Sequence, residues 1–122
     1  MDELELAWET YDFHTLILYE LEEDHRSVIE DYRRFREKHL NPSQLKKTYM
    51  RKKLNKSFNT MINAYSKQIT AIDDLISLHE SGIEISIHRD VSPQLLRELK
   101  NTTSTLIEEV KIVRKEINEI LR

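Results

Sequence analysis

HLNPSQ, residues 39–44, is one of two places where this sequence lets a helix stop. Asn41 is a candidate cap, Pro42 suits a first helical position, where its missing N–H costs nothing, and Gln44 sits where a capping box wants it. The second break runs from Ser81 to Pro93. Gly82 is a left-handed helix stop there, and Ser92-Pro93 repeats the cap-then-proline start. Between them Ile83, Ile85 and Ile87 alternate with Glu84 and Ser86. Five residues of period two without a partner strand read as an extended linker. One glycine and two prolines in 122 residues are too few for the turns of a sheet.

The class is therefore all-α, in a single domain over 1–122. The spacing predicts helices over 2–40, 42–81 and 93–122, with a linker over 82–92. Each carries an apolar stripe stepping by three and four. In the first it is Leu4, Ala7, Tyr11, Leu18, Leu21, Val28, Tyr32 and Phe35. In the second it is Leu54, Phe58, Met61, Tyr65, Ile72 and Leu75, widened by Ile69 and Ile76. In the third it is Leu96, Leu99, Thr103, Leu106, Val110, Val113, Ile117 and Ile120. Helices this long owe most of their stability to packing such a stripe. A repeat near 3.5 residues predicts coiled-coil-like packing. With a short connection at Asn41-Pro42, the expected architecture is an elongated antiparallel three-helix bundle. It is similar in shape to a spectrin repeat, and architecture of this kind does not assign function.

Composition excludes several classes. Hydrophobic residues make up 39% and charged residues 34% of the chain, which suits a folded domain. The longest apolar run, Leu16 to Tyr19, falls far short of the ~20 residues a bilayer crossing needs. The acidic start MDELELAWE is unlike a signal or transit peptide. Without cysteine there is no disulfide, thiol nucleophile or thiolate metal site, and the expected location is cytoplasmic.

Charge is unevenly spread. Residues 1–24 hold nine acids and no lysine or arginine, whereas residues 38–72 hold eight cations and no acid. In a hairpin the two sets move to opposite ends. The stretch LKKTYMRKKLNKS, residues 45–57, has six cations. Carried backwards from Leu54, the core stripe of helix 2 falls on Met50, Arg51 and Lys47, and unpaired cations are costly to bury. The third layer of packing is thus expected to end near Leu54. A two-helix basic finger would then project, with Tyr32, Phe35, Tyr49 and Met50 exposed for contact. Its contact surface is Arg33, Arg36, Lys46, Lys47, Arg51, Lys52, Lys53 and Lys56. Interleaved aromatics and cations suit phosphates and bases, acidic lipid headgroups or an acidic protein. The net charge of −3 restricts nucleic acid to local contact at this turn.

A second surface lies on helix 1. Leu6, Phe13, Leu16 and Ile17 sit to one side of the Leu4–Tyr11–Leu18 line, and Trp8 fits either surface. A helix apolar over more than one seam is covered on more than one side. These residues point to a helical protein partner or a homo-oligomer.

Chemistry is sparse. His14, His25 and His39 fall on the seam of helix 1, where a buried imidazole would make packing pH-sensitive. Glu22 and His25 form one Glu-x-x-His; a di-iron bundle needs two. Arg34 and His39 have the Arg-x4-His spacing that resembles the catalytic motif of the HEPN ribonuclease family, which is also small and all-helical. That resemblance covers six residues and implies RNA cleavage by this pair. In the family the motif tends to lie in a later helix, with two copies meeting across a dimer, whereas here it ends helix 1. No glycine loop cradles phosphate. The expectation is a chain that is not an enzyme and has no metal, cofactor or small-molecule substrate. It would work as an adaptor, assembly subunit or small regulator binding a helical partner or itself through helix 1. A nucleic-acid-binding subunit using the basic turn comes second, and a HEPN-like ribonuclease third.

Overall fold

The structure, a computed structural model, describes residues 2–87 and 89–122. It is an all-α three-helix bundle of α1 (Glu3–Lys38), α2 (Gln44–Glu80) and α3 (Pro93–Ile120). No strand occurs among the described residues. At 1.5 Å per residue α1 and α2 are each about 55 Å long and α3 about 42 Å.

The caps explain where the helices begin. Asp2 accepts from the Glu5 amide at 2.7 Å, and Ser92 accepts from the Leu95 amide at 3.1 Å with Pro93 next in line. For α2 the expected cap is replaced. Ser43, not Asn41, accepts from the Lys46 amide at 3.3 Å, so Pro42 stands outside the helix and Gln44 opens it. Both residues carry a capping oxygen; using Ser43 leaves Pro42 to stiffen the turn.

The end of α2 follows the glycine rule. Gly82 has φ +96°, a conformation side-chain-bearing residues avoid. Its amide donates to the His79 carbonyl and that of Ile83 to the Leu78 carbonyl, both at 3.0 Å. This double closure is a Schellman motif, with Leu78 and Ile83 both packed against the same core cluster.

Polar pairs fix the antiparallel register. Between α1 and α2, Gln68 Nε2 donates to Thr15 Oγ1 at 2.7 Å and Lys53 Nζ to Asp31 at 2.8 Å. Between α2 and α3, the Asn55 and Asn118 amides exchange hydrogen bonds at 3.0 and 2.9 Å, and Lys100 meets Asp73 at 2.7 Å. As residue numbers fall along α2 they rise along each neighbour.

α2 is the central element. It supplies eleven buried residues, whereas α1 and α3 supply three each. All three from α1, namely Leu4, Ala7 and Trp8, lie in its first two turns. Among the described residues no Cα of α1 comes within 8 Å of a Cα of α3, although both flank α2. This changes the expected seam of α3. Val113 and Ile120 are 41% and 50% exposed because α1 does not close over them.

The third layer also extends further than predicted. Met50 and Leu121 are buried in one cluster with Leu54, Phe58 and Ile117. The end of α3 thus covers α2 beyond Leu54, and Met50 is core rather than contact surface. Tyr32 and Phe35 are half-buried against the same cluster. The basic finger is shorter than expected, reduced to the last turn of α1, the connection and the first turns of α2.

The linker is not simply extended. Ile85 is 1% exposed, and the Arg89 amide closes a turn on the Ser86 carbonyl at 3.3 Å. Ile87 is 60% exposed, so the alternation seats one isoleucine and leaves the next in solvent.

Candidate functional site

The outer face of α1 and α2 combines the edge of the core with apolar residues that the core does not use. Leu6, Phe13 and Leu16 are 56%, 59% and 58% exposed. Three shallow hollows follow the groove between α1 and α2, and α3 lines none of them. The first lies beside Leu6, Ala7 and Thr10, facing Asp74, Ser77 and Leu78. The second is formed by Phe13, His14, Ile17 and Leu21 against Asn63, Ala64 and Lys67. The third, of about 300 Å³, lies between Leu21, Asp24, His25 and Val28 on one side and Lys53, Lys56 and Ser57 on the other. Leu21 and Thr60 line both the second and the third, so these two form one continuous stretch of groove.

Four of the five residues predicted for this surface are on it or beside it. Ile17 is half-buried in the groove, while Leu6, Phe13 and Leu16 stand out. Trp8 is not available. It is 4% exposed, its indole N–H donates to the Ile85 carbonyl at 3.0 Å, and the Arg89 guanidinium lies 4.5 Å over its ring. Arg89 also grips Asp12 through both guanidinium nitrogens, and this contact holds the Asp12 carboxyl below its usual range. Trp8 is a rivet between α1 and the linker. Sequence reasoning missed Ile85, Arg89 and Asp12, because the partners lie 77 residues apart and share no local pattern.

The basic surface divides into paired and unpaired cations. Arg33 meets Glu30 at 2.7 Å, and Lys53 is spent on Asp31. Their pKa values are raised and that of Asp31 lowered, chiefly by these hydrogen bonds. Among the described residues Arg36, Lys38, Lys46, Lys47, Arg51, Lys52 and Lys56 form no ion pair. Around them Leu40, Leu45 and Tyr49 are 94%, 81% and 67% exposed. Leu40 carried no sequence signal, since it falls at the point where the helical period ends. Lys47 and Arg51 are half-buried.

The histidines separate. His14 stacks edgewise on Phe13 at 5.4 Å at the rim of the groove, and His39 is the C-cap of α1, tilted against Phe35. Of these three, His25 is the one that bonds across the α1–α2 seam. Its Nδ1 lies 2.6 Å from Ser57 Oγ, its ring is edgewise to Phe58, and desolvation pushes its pKa down. A serine beside an imidazole invites comparison with a nucleophile–base pair. An activated pair needs a third group to orient the base; His25 has no second hydrogen-bond partner among the described residues.

The HEPN-like pair is not assembled into one pocket. Arg34 leans towards Glu30, 3.9 Å away, and the hollow that His39 lines is shared with Arg36 and Lys47. Among the described residues no group of three histidine, aspartate or glutamate side chains is placed to hold a metal ion, and no helix is long and apolar enough to cross a membrane. No family model matches this chain, and neither does any curated protein or solved structure compared with it.

Proposed function

We propose that this chain is a non-enzymatic helical interaction protein, an adaptor, assembly subunit or small regulator, whose contact surface is the outer face of α1. The observation that carries this reading is the exposure of Leu6, Phe13 and Leu16 beside a continuous groove floored by Ile17, Leu21 and Val28. A row of large apolar side chains beside an apolar furrow is the form in which a bundle receives another helix. Covering three such side chains contributes on the order of 5 kcal/mol before association costs.

The test is site-specific photo-cross-linking in the cell of origin. A benzophenone side chain replacing Phe13 should capture a protein, whether foreign or a second copy. The same group replacing Ile112, which is 58% exposed on α3, should not. No adduct at position 13 would remove the proposal.

A second reading rests on the unpaired cations at the turn. Together with Leu45 and Tyr49 they suit a phosphate backbone with a stacked base. Replacing Lys46, Lys52 and Lys56 by glutamate should then abolish nucleic-acid retention, and wild-type binding should fall steeply with salt. Lys53 is left out because its loss would also break the α1–α2 pair with Asp31.

A further inference from the structure

The α1 surface offers more than an exposed patch, because its charge and shape vary systematically along the helix. At the open end Glu3, Glu5 and Glu9 have no ion-pair partner among the described residues. At the turn end Lys38, Lys46, Lys52 and Lys56 have none either. A partner covering the whole face must carry the opposite gradient. This chain, turned end for end, carries it.

We infer that the partner is a second copy of the chain, docked face to face and antiparallel, with a two-fold axis crossing α1 near Glu20–Leu21. This deepens the proposed interaction role and rests on it.

Shape agrees with charge. With the axis at Glu20–Leu21, Phe13 of each copy falls opposite Val28 of the other. There the hollow of about 300 Å³ between α1 and α2 receives it. In the same register Glu3 falls opposite Lys38 at the ends of the face. Each contact is made twice, as an isologous interface requires. A parallel arrangement would set acids against acids and Phe13 against itself. The shared face is roughly 54 Å long and 20 Å wide, about 1,000 Å² per copy, against the ~800 Å² per partner of a standard interface. Nucleic acid suits this face less well, since Asp24 and Asp31 lie among its cations, Glu3 lines its open end, and the net charge is −3.

The absence of cysteine makes the test clean. Sedimentation velocity from micromolar to several hundred micromolar should show a dimer. Phe13→Glu should shift it to monomer with unchanged helicity, since Phe13 is 59% exposed. Spin labels on Glu20→Cys should lie within roughly 20 Å across the dimer, and labels on Glu3→Cys about 50 Å apart. A monomer throughout, a dimer indifferent to Phe13→Glu, or close labels at position 3 would each overturn the inference. So would a face occupied by nucleic acid in place of the second copy. A monomer whose position 13 still cross-links a foreign protein ends self-pairing and leaves the interaction role standing. No adduct at all ends both.

Discussion

At the open end of the bundle, Trp8, Leu75, Ile85 and Leu96 are no more than 4% exposed and come from all three helices and the linker. At the turn end the core still has Leu54, Phe58 and Leu121, but α1 gives it only the half-buried Val28, Ile29, Tyr32 and Phe35. The charges follow the same division. Asp12–Arg89, Glu80–Arg97 and Asp73–Lys100 tie segments together towards the open end, while most cations near the turn have no ion-pair partner among the described residues. One end thus uses its side chains to hold the fold. The other leaves a large share of them to solvent, where they are free to meet something else.

The largest expected effect breaks the open end. Trp8→Ala empties a buried site and releases the linker, and should cost about 3–5 kcal/mol by chemical denaturation. Trp8→Phe keeps most of the volume and strands the Ile85 carbonyl, at about 1–3 kcal/mol. If Trp8→Ala cost no more than truncation of half-buried Val28, the contrast between the ends would be lost.

A smaller effect sharpens the contrast from the middle. Gln68 is 5% exposed, and its Oε1 has no hydrogen-bond partner among the described residues although its Nε2 serves Thr15. An orphaned buried acceptor is destabilising. Gln68→Met should therefore leave stability unchanged or raise it by about 1 kcal/mol in the same assay. A clear loss would mean that the polar pair with Thr15 outweighs the orphan.

The smallest effect is one of pH. His25 faces Ser57 and Phe58, with Asp24, Lys53 and Lys56 around its hollow. Desolvation depresses its folded-state pKa, so the folded chain binds fewer protons than the unfolded one. The stabilisation is complete above the unfolded value near 6.5 and is lost as pH falls through that region. The melting temperature should drop between about pH 7.5 and about 5.5, and His25→Gln should flatten that slope. The carboxylates Asp12 and Asp31, also depressed, act only in a more acidic window.

Much of the fold was legible because stripes and caps are local. The three-and-four spacing gives the helices, Ser92-Pro93 gives the start of α3, and Gly82 marks the end of α2. Local pattern failed where a choice depended on distant chain. Asn41 and Ser43 both carry a capping oxygen, and the local pattern does not choose between them. Periodicity marks which face of α3 is apolar but not how closely α1 approaches it, so it places Val113 and Ile120 on the stripe although both are exposed. For the candidate site, Leu6, Phe13, Leu16 and Ile17 were visible because they lie outside the seam. Trp8 was ambiguous because what buries it, Ile85 and Arg89, lies in the linker beyond α2, far outside any local pattern.

Residue-resolved hydrogen exchange, at a concentration too low for self-association, tests the division most directly. In α1, amides from Leu6 to Asp12 should exchange only through global unfolding, and those from Asp24 to Arg36 should exchange measurably faster through local opening. Equal protection along the whole of α1 would contradict it.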